Sequence, residues 1–167
     1  MKKKTPSVKK DVTNILFCGT GGQGVLAAAE ICGWAAIYDG FHVKKSEVHG
    51  MAQRGGSVES HLRFGGHVFA PLIPDGEVDF LVSFLKDESA RVKQSLSEHG
   101  IDLTDELEKG LSVLSDRRFL NSYLLGVLSR HLAIRTDSWF KAIEHVFTNK
   151  NPQGNKDAFL SGRGGSK

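Results

Sequence analysis

The sequence predicts an α/β domain: a mainly parallel sheet with helices on both faces, a Rossmann-like start and one antiparallel hairpin. Three observations carry this. Asn14-Ile15-Leu16-Phe17 is a short apolar run of the kind a buried strand makes. It leads directly into the glycine-rich stretch Cys18-Gly19-Thr20-Gly21-Gly22-Gln23-Gly24, and Val25 to Cys32 then reads as a helix. Further on, Asp79-Phe80-Leu81-Val82-Ser83-Phe84 is a continuous apolar run, the mark of a central strand covered on both faces. A chain of 167 residues, 40% hydrophobic and 25% charged, is long enough for one domain with a real core.

Residues 1–11 read as a disordered basic tail, 12–160 as a single α/β domain, and 161–167 as a flexible Gly-rich tail. A first strand is expected over about 13–18, and the glycine turn follows. A helix then runs from about Gly22 to Tyr38, with Ala27, Ala28, Ile31, Ala35 and Ala36 as small apolar faces, and Asp39-Gly40 stops it. Phe41-His42-Val43 resumes as a second strand, completing a right-handed strand–helix–strand unit. A second polar loop with glycines, Ser46 to Gly56, comes next. From Ser57 to Phe64 the pattern alternates, with Val58, Ser60, Leu62 and Phe64 on one face and Glu59, His61 and Arg63 on the other. Gly65-Gly66 reads as a two-residue hairpin turn, and His67 to Ala70 as the return strand, ended by Pro71 and Pro74. The remainder reads as helices: Asp87 to Glu98, Thr104 to Leu114, Asn121 to Leu132, and a last one around Trp139 and Phe147 that Thr136 or Asp137 can cap.

Composition excludes several classes. No apolar run approaches a membrane span, and the lysines at the N-terminus precede no apolar core, so they do not read as a secretory signal. The net charge of +3, without aromatic residues among those lysines, gives no reason to expect nucleic acid. Two cysteines, Cys18 and Cys32, make neither a CxxC pair nor a four-thiolate set for zinc or an iron–sulfur cluster. Both read as small core residues in a reducing, cytoplasmic compartment. Any redox centre this chain serves is therefore expected mostly in another chain.

A glycine turn from strand to helix leaves the first N–H groups of the helix unpaired, and the helix dipole adds positive charge there. Such a turn suits an anion, commonly a phosphate. Gly19-x-Gly21-x-x-Gly24 matches the dinucleotide fingerprint, but that fingerprint also wants an acid at the end of the second strand. Here Lys44 and Lys45 stand in its place. The second loop adds Glu47, His49, Gln53, Arg54 and Gly55. Arg54 offers a planar fork for phosphate or carboxylate, Gly55 and Gly56 allow close backbone approach, and His49 near Glu47 makes an acid–base pair or simply satisfies loop backbone.

Together these blocks resemble a family. Gly19 to Gly24, Glu47 to Val58, Arg63, Pro71-Leu72-Ile73-Pro74 and Asp79 are similar to the gamma-type subunit of the 2-oxoacid:ferredoxin oxidoreductases, in particular to its indolepyruvate branch. Glu88-Ser89-Ala90-Arg91, Asn121 to Gly126 and Asn155 to Gly162 extend the resemblance to most of the chain. Between Arg91 and Asn121 the family carries a further strand and helix. Here Val92 to Phe119 reads as polar and helix-like, so a sheet strand is expected to be missing or replaced.

The resemblance implies an enzyme complex that oxidatively decarboxylates a 2-oxoacid to an acyl-coenzyme A and passes the electrons to ferredoxin. Thiamine diphosphate, magnesium and the iron–sulfur clusters are implied to sit in a larger partner subunit, with coenzyme A as cosubstrate. This chain is implied to be inactive alone and to help form the coenzyme A side of the site; isolated, it is expected to self-associate through an uncovered apolar patch. Gly19, Gly21, Gly22, Gln23 and Gly24 form the expected ligand or interface turn, and Glu47, His49, Gln53, Arg54 and Gly55 the second loop of one shared cleft. The alternatives are a free-standing module binding NADP, flavin or coenzyme A, and a purely structural subunit with an empty turn.

Overall fold

A computed structural model describes residues 11–51 and 55–164. Five strands form one sheet: β1 (Val12–Thr20), β2 (His42–His49), β3 (Ser57–Gly65), β4 (Val78–Ser83) and β5 (Leu96–Asp102), in the order β2-β3-β1-β4-β5. β1 pairs in parallel with β4, and β4 with β5. β3 is antiparallel to both β1 and β2. The α/β class therefore stands, with a mixed sheet: a parallel half and an antiparallel half that share β1.

The helix α1 (Val25–Tyr38) carries the chain from β1 to β2, and these two strands run in the same direction as the sequence predicts. They are not neighbours, because β3 lies between them. The hairpin also differs from expectation. β2 extends to His49, well past Val43, and turns through the 50–56 loop into β3, so the hairpin precedes β3. His67 to Ala70 is not a strand. The chain at Gly66 must leave β3 and cross to β4 on the far side of β1, and a return strand would hold it at the wrong edge. The Val68 N–H is met instead by His42 Nδ1 at 2.9 Å, and Pro71 and Pro74 have no donor to give a ladder.

The polar segment after Arg91 also departs from a helix. α2 (Lys86–Val92) is short, and β5 follows it. A strand is therefore present where one was expected to be missing. It reads as polar because it is an edge strand whose residues are mostly exposed or half-buried. Its register against β4 is broken by an irregularity between Val78 and Phe80.

Four helices follow: α3 (Glu106–Val113), α4 (Leu120–Ser129), α5 (Thr136–Val146) and α6 (Pro152–Arg163). Neither Thr136 nor Asp137 caps α5. Asp39, at the end of α1, accepts from Arg135 N at 3.0 Å, Arg135 Nε at 2.6 Å and Ser138 Oγ at 2.8 Å, which ties α1 to the start of α5 without capping its first-turn N–H groups. α6 is a further helix beyond the expected last one. It runs past residue 160 to Arg163, whose Nη1 donates to Ser129 Oγ at 2.8 Å.

The two sheet faces are covered unequally. Ile15 and Phe17 of β1, with Val58, Leu62 and Phe64 of β3, face a large core built with α1, α3, α4, α5 and α6. Leu16, Cys18 and Leu81 face a small one closed by Val92 and by Ile73 of the 66–77 crossover. That crossover is stitched down by polar side chains. Arg63 donates to the Ala70 and Leu72 carbonyls and to Asn14 Oδ1, while Asn14 Nδ2 donates to the Glu77 carbonyl.

On the thick side α4 and α6 touch backbone to backbone. A Cβ on Gly126 would lie 2.0 Å from the Phe159 carbonyl oxygen, and one on Gly162 would lie 2.0 Å from that of Tyr123. Gly162→Ala is expected to destabilise the fold by about 2 kcal/mol or more through forced separation of the two helices. Urea unfolding measures this; an unchanged midpoint would refute the close approach.

Candidate functional site

β3 decides where the two loops lie. Its ladders set Gly19 opposite Val58 and Val58 opposite His49, so the ends of β1 and β2 open at one sheet end. The loops also bond directly. Gly21 N donates to the Gly56 carbonyl at 3.1 Å, and Gly50 N to the Ser57 carbonyl at 2.7 Å.

The turn itself is closed by Gln23. Its Oε1 accepts from Thr20 N at 2.7 Å and its Nε2 donates to the Phe84 carbonyl at 3.3 Å. A Cβ on Gly19 would press on Gln23 Oε1 and Val25 Cγ2, each at 2.8 Å. Gly19 and Gln23 thus build the turn and do not line its mouth. Gly22 and Gly24 have φ of 88° and 85°, which only glycine adopts freely. The N–H groups of Gly22, Gly24, Val25, Leu26 and Ala27 meet no acceptor among the described residues. A cleft of about 420 Å³ lies over them, lined by Thr20, Gly21, Gly22, Gly24, Val25 and His49 among others.

The structure therefore brings Gly21, Gly22, Gly24 and His49 to one cleft. Gly55, at φ 64°, sits across from Gly21. Gln53 and Arg54 lie outside the described residues. Glu47 and His49 belong to strand β2 and not to the loop, because their backbone pairs with β3. His49 Nε2 is 3.4 Å from Glu47 Oε2, and Glu47 Oε1 is 3.1 Å from Lys45 Nζ. Lys45 continues to Glu30 Oε2 at 2.6 Å. That contact holds the Glu30 carboxyl below its ordinary range. Lys45 is thus bound to two carboxylates.

On the thin face, under the loop, lies a group that motif reading left without a role. Ser57 Oγ donates to Glu88 Oε1 at 2.8 Å. Arg91 gives Nη2 to Glu88 Oε2 and Nη1 to Glu59 Oε1, both at 2.7 Å. The period-two alternation already placed Glu59 on this face; only the topology shows that α2 covers it. Burial beside these carboxylates pushes the Cys18 thiol up to about 11, and full burial drives the Cys32 thiol far up as well. The two thiols lie in separate cores on opposite sheet faces and do not converge on one site. Among the described residues, no three His, Cys, Asp or Glu side chains gather where they would hold a metal ion. No helix of the described residues is long and apolar enough to cross a membrane.

Comparison with known proteins agrees with this architecture. A family model described as pyruvate ferredoxin/flavodoxin oxidoreductase matches residues 14–109. The indolepyruvate oxidoreductase subunit IorB of Pyrococcus horikoshii is 44% identical over 92 residues, 55% of this chain and 46% of that protein. The chain spans about half the length of the curated relatives of this kind. The gamma subunit of a keto/oxoacid ferredoxin oxidoreductase from Geobacter sulfurreducens has the same fold, with a TM-score of 0.73 at 22% identity, over 90% of this chain and 95% of that one. So does part of the 2-oxoglutarate:ferredoxin oxidoreductase of Magnetococcus marinus, solved with 2-oxoglutarate, coenzyme A and succinyl-CoA bound. Its TM-score is 0.74 at 17% identity, over 93% of this chain and 31% of that one.

The Glu59 network has a pH signature. The hydrogen bond from His61, and then Arg91, holds the Glu59 carboxyl below its ordinary 4.5. A depressed carboxyl stabilises the fold fully above its unfolded value, and that stabilisation is lost as pH falls through the folded value. Glu59→Gln is expected to flatten the loss of stability between about pH 5 and pH 3. Urea midpoints across that range measure it, and parallel curves for the two proteins would remove Glu59 from the explanation.

Proposed function

The chain belongs to the pyruvate ferredoxin/flavodoxin oxidoreductase family, and from that premise we propose that it is the non-thiamine subunit of a 2-oxoacid oxidoreductase. In this reading a larger partner subunit holds thiamine diphosphate, magnesium and the iron–sulfur clusters. The complex decarboxylates a 2-oxoacid, passes two electrons to ferredoxin and transfers the acyl group to coenzyme A. Thiamine diphosphate supplies the carbanion chemistry, which no side chain here can perform. This chain's part is to bind and orient. The observation that carries it is the row of N–H groups over the 420 Å³ cleft, in a turn whose own geometry Gln23 has already fixed. A coenzyme A phosphate or a partner's acidic group fits that row, and the fork of Arg54 is the cation the sequence offers for the same anion.

Two further observations support a partnered subunit. Phe69 and Leu72, on the crossover over the thin face, are exposed, as is Met51 beside the cleft. Apolar side chains in these places suit a larger subunit or, in isolation, a second copy. The alternative, a free-standing dinucleotide module, is disfavoured by Lys45. It stands near the position of the ribose-binding acid and is bound to Glu30 and Glu47, unavailable to a 2′-phosphate.

Reconstitution with the larger subunit tests the reading. Arg54→Ala is expected to raise the KM for coenzyme A about tenfold or more, with 2-oxoacid decarboxylation little changed. An unchanged KM would leave the turn a purely structural role. Tight binding of NADP or flavin by the chain alone would favour the free-standing module.

A further inference from the structure

A second cavity, of about 380 Å³, opens between the start of α4 and the α5–α6 connection. The functional reading above makes no use of it. Phe119 and Phe147 supply its apolar walls, and Phe119 is set firmly, its Cζ lying 2.7 Å from where a Cβ on Gly154 would be. Lys150 and Arg118 stand at the rim, and no carboxylate lines the cavity. Arg118 gives Nε and Nη2 to Asp116, which leaves Nη1. No acceptor within the described residues meets Lys150 Nζ.

Buried amides build this place. Asn155 takes the Ser122 hydroxyl on Oδ1 at 2.7 Å and gives Nδ2 to the Asn151 carbonyl at 3.1 Å and the Lys150 carbonyl at 3.4 Å. The loop bearing Lys150 is thereby clamped to α4. Asn121, 7% exposed, accepts from Ser122 N on Oδ1, and no described residue accepts from its Nδ2. The same Nδ2 lies 3.2 Å from where a Gly24 Cβ would be, so Asn121 divides this cavity from the glycine turn.

From this geometry we infer that the Phe119–Phe147 cavity is a binding site for a planar aromatic ring carrying an anionic group. The ring lies against the phenyl walls, an acceptor on the ligand takes the Asn121 amide protons, and the anion meets Lys150 with Arg118 beside it. The site stands on its own residues and does not depend on the subunit reading. An aryl carboxylate and an adenine nucleotide share the chemistry. The aryl carboxylate suits the cavity better, because Asn121 offers donors alone and Lys150 is the one cation at the rim without a carboxylate partner among the described residues.

The full chain is titrated by calorimetry with 1-naphthylacetate and, separately, with adenosine 3′,5′-bisphosphate. Saturable binding with a Kd below about 1 mM is expected, tighter for naphthylacetate. Lys150→Ala, an exposed change that spares the fold, should weaken it about tenfold, and Lys150→Arg should restore it. Tighter binding of the bisphosphate, with the same loss in Lys150→Ala, would support the site and identify a nucleotide as its source. Arg54→Ala should leave this titration unaltered, which separates the site from the coenzyme A cleft. No saturation by either probe, or affinity indifferent to Lys150→Ala, would overturn the proposal.

Discussion

The ladders on either side of β3 are the constraint on which the site depends. β1 and β2 run the same way, and β3 runs against both, so its hydrogen bonds fix the height of one strand end against the other. A slip of one residue on either side would turn Val58, Leu62 and Phe64 out of the large core and bring Glu59, His61 and Arg63 into it. The burial of those apolar side chains therefore protects the loop geometry at the strand ends. The bond from Gly21 to Gly56 completes the arrangement only because the ladders have already brought the two together.

How much of this could be read beforehand varied with how local the cause was. The first strand, the glycine turn and α1 were legible because apolar run, glycine and helical spacing occur in one stretch of chain. The faces of β3 were legible for the same reason. Its place between β1 and β2 was not, since pairing is decided by partners far along the sequence. β5 was missed because an edge strand buries little, and Leu96 and Ile101 alone do not make an apolar pattern. The start of α5 was not legible because its tie comes from Asp39, almost a hundred residues earlier, which holds Arg135 and the Ser138 hydroxyl. Of the expected site residues, Gly21, Gly22, Gly24 and His49 reach the cleft, whereas Gly19 and Gln23 build the turn from within. Sequence could not separate those two parts, because each requires the same glycines.

The unequal faces divide the labour of the molecule. The side with five helices holds nearly all the large apolar side chains and gives the domain its stability. The other side holds its few apolar residues under α2 and a crossover segment, and relies on polar ties: Arg63 to two carbonyls, Arg91 to two carboxylates, Ser57 to Glu88. Such ties are directional and add little free energy each, but they fix where the loop begins and ends. The glycine turn is thus supported from one side by packing and from the other by hydrogen bonds.

The backbone contact of α4 with α6 at Gly126 and Gly162 has a mechanical consequence. Two helices that meet through their backbones have no rotamers to rearrange, so α4 and α6 behave as a single stiff strut. The cavity beside them therefore has one wall without compliance. The opposite lip is the short connection from Phe147 to Asn151, where the lysine stands and where Asn155 holds the Lys150 and Asn151 carbonyls. Asn151 already holds a left-handed backbone there, at φ 43°, so that lip is pre-bent around the opening it frames.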